Sequence, residues 1–239
     1  KVPTLIDPSN VQLNSFAPVQ VISLYDHITL LVLSFFLITN VFNMYKKVIL
    51  DDKMVKIPIW LYVRELWKLV FYGATQWRFS KCDRKGLYWF SHLFLMVCYV
   101  TMFALIVVFL GWFQTDQIYP VSHPQRWLGY IITAGFLFST IYFFVGRIRK
   151  KDEIFKFTHH SDWIFLVLLF LVAVTGILLH IFRINGMARP TYVTYVIHLA
   201  VELPLVVTFV AFAKWSHLVY RPLAIYFANL KKAAMRSDI

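Results

Sequence analysis

Five stretches of this sequence, Val21–Tyr45, Leu87–Phe113, Trp127–Val145, Trp163–Phe182 and Tyr192–Ala213, are long and predominantly apolar. Each holds roughly 20 residues, the length an α-helix needs to cross about 30 Å of hydrocarbon. Buried helices of soluble proteins are usually shorter, and five such runs leave little of a 239-residue chain for anything else. The runs lack the period of two that marks lipid-facing barrel strands. Composition agrees, with 59% hydrophobic and 15% charged residues and a mean hydropathy of +0.64. The expected fold is all-α: a polytopic membrane protein, a bundle of five transmembrane helices in a single domain over residues 1–239. The spans are expected at about 21–45, 87–113, 127–147, 161–183 and 192–218.

The net charge of +12 is sorted by loop. Ten basic residues, from Lys46 to Lys85, separate the first two runs. Arg147, Arg149, Lys150, Lys151 and Lys156 lie between the third and fourth, and Lys214, Arg221, Lys231, Lys232 and Arg236 follow the fifth. Only Lys1, Arg126, Arg183 and Arg189 fall to the other side. Loops rich in Lys and Arg stay cytoplasmic, so the N-terminus is expected outside and the C-terminus in the cytoplasm. The cations then report topology and membrane lipid, and no nucleic-acid partner is expected. Lys1 is not an initiator methionine, which implies a start inside a longer product or after processing. The first twenty residues lack the continuous apolar core of a signal peptide.

The longest non-spanning piece, Lys46–Gly86, contains Ile57–Tyr72, where aromatic and aliphatic residues alternate with Arg64 and Lys68. A segment at about 55–80 therefore suits a helix lying in the cytoplasmic interface, or a docking face for a soluble partner. The outer connections, Gln114–Arg126 and Arg183–Thr191, are too short for a domain. Two cysteines, Cys82 and Cys98, with no CxxC, exclude an iron–sulfur cluster held by this chain alone.

The eight histidines cluster at the ends of the apolar runs. Imidazole beside lipid is costly unless something holds it, so these are functional candidates. His92 opens the second run and His217 closes the fifth, both toward the cytoplasm. His198 lies two turns into the fifth run from outside, and His123 just before the third. Each depth thus receives one histidine from the fifth run and one from elsewhere, which fits two bis-imidazole metal centres. With so few cysteines, haem is favoured over iron–sulfur. His180, deep in the fourth run on the outer side, competes with His123, and Met102 is a further ligand candidate. His123 also suits a solvated loop, and His159 and His160 suit a helix cap with Ser161 or Asp162. His27 suits an interfacial position. Pro204 between His198 and His217 can kink the helix that carries them.

The order of motifs carries a resemblance. Lys81-Cys82, Tyr88-Trp89-Phe90-Ser91-His92-Leu93, Ser122-His123-Pro124 and Leu128-Gly129 form one half. Ser161-Asp162-Trp163-Ile164-Phe165, Thr175-Gly176-Ile177, Ile197-His198-Leu199 and Lys214-Trp215-Ser216-His217-Leu218-Val219-Tyr220-Arg221 form the other. From about Val21 onward the chain resembles the membrane-anchor cytochrome b family of heterodisulfide reductases and quinone-interacting membrane-bound oxidoreductases, related to the gamma subunit of respiratory nitrate reductase. The resemblance implies a di-haem b-type cytochrome in the prokaryotic cytoplasmic membrane. Such a subunit is not catalytic alone: it passes electrons between membrane quinone and cytoplasmic iron–sulfur subunits of a hetero-oligomeric complex. His92 and His217 would then hold an inner haem b, and His198 an outer one with His123, or with His180 in its place. Quinone candidates are His180, Arg183 and Glu202 near the outer haem, and Asp162, Lys214 and Arg221 near the inner. The chain departs from relatives that carry a fused cysteine-rich domain, and His180 stands where an acidic residue is expected after Thr-Gly. Nitrate-reductase gamma chains have two histidines in the second span, where this chain has only His92. Two other readings compete: a proton-conducting channel or transporter, and a haem-free membrane anchor for a soluble complex.

Overall fold

The computed structural model describes residues 11–51, 57–77, 86–157, 159–211 and 216–237, without the side chains of Ser161 and residues 207–218. All regular structure among them is helical. The long helices are α1 (Val19–Tyr45), α2 (Ile59–Thr75), α3 (Leu87–Val107), α4 (Pro124–Arg149), α5 (His160–Ile184), α6 (Ala188–Ala211) and α7 (Ser216–Ser237). Four stretches are long and apolar enough to cross a membrane: α1 with the π-helical turn that extends it to Leu50, α3, α4, and α5 from Asp162. In their most apolar windows only 6%, 17%, 33% and 28% of residues are buried. So much outward apolar surface is a liability in water but is well solvated by lipid tails. The chain is a membrane protein.

One boundary differs from expectation. The second run ends as a helix at Val107, because Phe109 leaves the helical region (φ −116°, ψ 22°) and Leu110–Phe113 forms a separate turn. The fifth run is also helical, as α6, with the side chains of its last five residues outside the described atoms. A further helix, α7, occupies the 22 residues from Ser216, and residues 212–215 between the two lie outside the described residues.

Two compact units contain these helices, one of residues 1–30 and 94–207, the other of residues 31–93 and 208–239. In the larger unit α4 packs chiefly against α5. Small residues let α4 approach its neighbours closely: Ser139 and Thr140 are fully buried, and Thr140 Oγ1 donates to Phe136 O at 2.6 Å. A methyl on Gly135 would collide with Cys98 Sγ and lie 3.2 Å from the Phe94 ring. The connection before α4 is tied down by Gln125 Nε2, which donates to Trp112 O and Phe113 O, both at 2.6 Å. Gln114 Nε2 donates to Ala17 O at 2.9 Å, and its Oε1 accepts from Tyr195 OH at 3.0 Å.

The smaller unit is built on an amphipathic pair. Leu61 and Glu65 of α2 are buried, and α7 packs against them with Tyr226, Phe227, Leu230 and Ala234. Ile49 of the π-helical turn completes this core. Tyr226 OH donates to Tyr62 O at 3.0 Å, and the Tyr45 and Tyr62 hydroxyls lie 3.2 Å apart. Burial, the hydrogen bond to Tyr45 and the surrounding phenols push the Tyr62 phenol up to about 12. The opposite face of α2, with Val63 and Trp67, is exposed. Within the segment expected at about 55–80, Ile59–Thr75 is thus helical, as α2.

Two outcomes follow from this packing. Gly135→Ala is expected to destabilise the protein by about 1–3 kcal/mol through overpacking. Gly73→Ala on α2, which meets nothing within 4 Å, should instead stabilise it by about 0.5–1 kcal/mol through helix propensity. Unfolding midpoints in detergent measure both. Because the folded state keeps the Tyr62 proton above the ordinary phenol value, stability from this group is complete below pH 10. It declines as pH rises toward about 12. Tyr62→Phe should flatten that alkaline decline in the melting temperature.

Candidate functional site

Thr175 sits mid-way along α5, where its hydroxyl donates to Leu171 O one turn back at 2.7 Å. With its proton so committed, Oγ1 accepts from His198 Nδ1 of α6, also at 2.7 Å. That fixes the tautomer: Nδ1 carries the hydrogen and Nε2 keeps its lone pair. The ring lies over Gly176, where a methyl would come within 3.3 Å of His198 Cε1. Thr175 and Gly176 thus act together, one orienting the imidazole and the other making room for it.

His198 lines a cavity of about 250 Å³ inside the larger unit. His180, Arg126, Arg183, Glu202 and Asp26 line it too, with Met102, Gly129 and Gly176 among its apolar and small walls. Arg126 donates through Nη1 to Tyr119 O at 2.9 Å, and through Nη2 and Nε to Tyr130 OH at 2.8 and 3.2 Å. The Tyr130 oxygen is therefore an acceptor toward Arg126, and its own hydrogen points to His180 Nε2 at 2.9 Å. Arg126 Nη2 also approaches His180 Nε2 at 3.3 Å. Arg183 donates to Thr115 O and, at 3.4 Å, to Gln117 O. Asp26 Oδ2 and Arg183 Nε are buried without a hydrogen-bond partner.

The expected ligands fall unevenly around this cavity. His198 and His180 share it, as do Arg183 and Glu202. His123 is not among its lining residues. Pro124 forces its predecessor into extended backbone (ψ 136°), the geometry of an N-cap, and His123 Nδ1 accepts from Gln125 N at 3.3 Å. Its ring stacks on Tyr119 at 3.9 Å. In the smaller unit His92 is anchored through Nδ1 to Gln76 Oε1 at 2.7 Å, and Tyr88 stacks on it. Gln76 caps α2 in the left-handed region (φ 50°), which turns its amide toward α3. His217 belongs to α7, with its side chain outside the described atoms, and Lys214 lies outside the described residues. Arg221 is exposed on α7. Asp162 Oδ2 accepts from His159 N at 3.0 Å, a helix-capping role. His27 is exposed and bonded to Ser23 O.

The donor set fits axial imidazole ligation of haem. His198 lines the cavity and its Nδ1 is held by a hydroxyl, the outer-shell arrangement that metal-ligating histidines use. No group of three or more metal-binding side chains occurs among the described residues, and two imidazoles require none. Arg126, Tyr130 and Asp26 were missed by sequence reasoning. Arg126 reads as a loop cation and Tyr130 as one aromatic among many; only their spacing of four, one helical turn, hints that they act together.

No family model matches the chain, and no solved structure matches it. The chain is similar to a component of the dihydromethanophenazine:CoB–CoM heterodisulfide reductase of Methanosarcina thermophila, at 24% identity over 163 residues. The match spans 59% of this chain and 59% of that protein's length. It supports the heterodisulfide reductase resemblance and carries nothing for the relation to nitrate-reductase gamma chains. The chain is thus a membrane protein that is similar, over part of its length, to a heterodisulfide reductase subunit.

Proposed function

We propose that the chain is a di-haem b-type electron-transfer subunit of a reductase complex in the prokaryotic cytoplasmic membrane, exchanging electrons between membrane quinone and cytoplasmic iron–sulfur subunits. The observation that carries the reading is His198, whose Nδ1 is held by Thr175 Oγ1 and which lines a cavity together with His180. His198 and His180 would hold the outer haem, His180 Nε2 giving up its hydrogen bond from Tyr130, and His92 and His217 the inner. Bound there, haem supplies one-electron transfer in a low-dielectric setting that needs no open coordination position. Arg126, Arg183 and Glu202 would meet the quinone, whose carbonyls need hydrogen-bond donors and whose reduction needs protons. On this reading α6 is a fifth span, with the N-terminus outside and the C-terminus cytoplasmic.

A second reading, a proton relay, has one observation in its favour: Asp26, His180, His198 and Glu202 all line the same cavity. Colour separates the two. The dithionite-reduced protein is expected to show the α band of b-type haem; a folded but colourless protein would sink the first reading. His217→Ala and His180→Ala should each lose one of two haems, while His123→Ala retains both. Loss of a haem from His123→Ala with retention in His180→Ala restores His123 as the outer ligand. Thr175→Val keeps the side-chain shape but removes the hydroxyl, and should weaken outer-haem retention about 10–100-fold. Haem titration of the purified variant reads this directly.

A further inference from the structure

The smaller unit holds a second cavity, a cleft of about 560 Å³ between α2 and α7. Its lining follows from helical spacing. Trp60, Arg64 and Lys68 recur every four residues on α2, and Asn229, Lys232 and Arg236 recur at three and four on α7. Two helices that pack through Leu61, Leu230 and Ala234 therefore turn four cations toward one cleft. The acid in its lining is Glu65, 4% exposed, whose Oε1 meets Lys68 Nζ at 2.6 Å and Arg64 Nε at 3.4 Å. One carboxylate against four cations leaves the cleft strongly positive, and Lys232 and Arg236 are exposed.

We propose that this cleft binds the phosphate of an anionic phospholipid headgroup. The chemistry required is that of a phosphate ester: four cationic donors and the Asn229 amide converge on a space of headgroup size, and Arg presents a fork that matches phosphate oxygens. The choice of lipid over free phosphate comes from what adjoins the cleft. Trp60 lines it, is 51% exposed, and carries the Arg64 guanidinium 4.7 Å over its ring. From Trp60 the exposed apolar face of α2 continues through Val63 and Trp67, which are 68% and 73% exposed. A phosphate in the cleft would thus have an apolar surface beside it on which its acyl chains can lie, the arrangement of an interfacial helix with its basic flank on the headgroups.

The test uses the full-length protein in detergent, stripped of lipid and offered phosphatidylglycerol, phosphatidylcholine or inorganic phosphate, with bound lipid counted by native mass spectrometry. Phosphatidylglycerol should bind in preference to phosphatidylcholine. Its affinity should fall about fivefold for Lys232→Gln and again for Arg236→Gln, and return in Lys232→Arg. Lys151→Gln, which removes the same charge away from the cleft, should leave it unchanged. Equal losses in Lys151→Gln and Lys232→Gln would overturn the site in favour of general electrostatics. Tight inorganic phosphate with no preference between the two lipids would overturn the lipid assignment. Both cleft substitutions lie at exposed positions, and an unchanged melting temperature in lipid-free detergent verifies that each variant is folded.

Discussion

Hydrocarbon offers no hydrogen bonds, so each polar group that enters it must find its partner inside the protein. That constraint explains why Thr175 matters more than its size suggests. Its one hydroxyl satisfies a carbonyl of its own helix and an imidazole of the next, and in doing so decides which nitrogen of His198 remains available. The same rule governs Arg126 and Arg183, each of which donates to main-chain carbonyls of the 115–119 segment. Cations that look like loop residues thereby become structural parts of a cavity wall.

Much of the fold was legible because lipid solvation writes itself into composition. Four of the five apolar runs appear as helices suited to spanning, since a run of about 20 apolar residues has few other stable conformations. The helix α2 was legible in the same way, from aromatics interleaved with Arg64 and Lys68. The far end was not. Beyond the fifth run lies α7, whose mixed apolar and basic sequence looks like a tail until α2 is present to receive it.

The site was legible as a set of depths and hidden as a set of bonds. His198 and His180 could be assigned to one level from their positions in successive runs, and they share a cavity. His123 fits that level equally well by sequence position. Its proline neighbour settles its backbone, and Nδ1, by accepting from Gln125, leaves the hydrogen of the neutral ring on the other nitrogen. Which candidates share a cavity depends on the rotation of each helix about its own axis, and no single helix encodes that rotation. Close packing at Gly135 sets it for α4, and Gly176 does so for the contact with His198.

The two guanidiniums of the larger unit carry one more consequence. Arg126 and Arg183 are held by carbonyl oxygens, so neither can swing away, and they give the cavity a permanent positive potential. Such a potential makes any electron acceptor placed there easier to reduce and lowers the cost of holding an anion. Asp26 and Glu202 in the same walls oppose it, and their protonation would release it. Any molecule placed in the cavity would therefore meet a field whose strength depends on how many of those two carboxyls carry a proton.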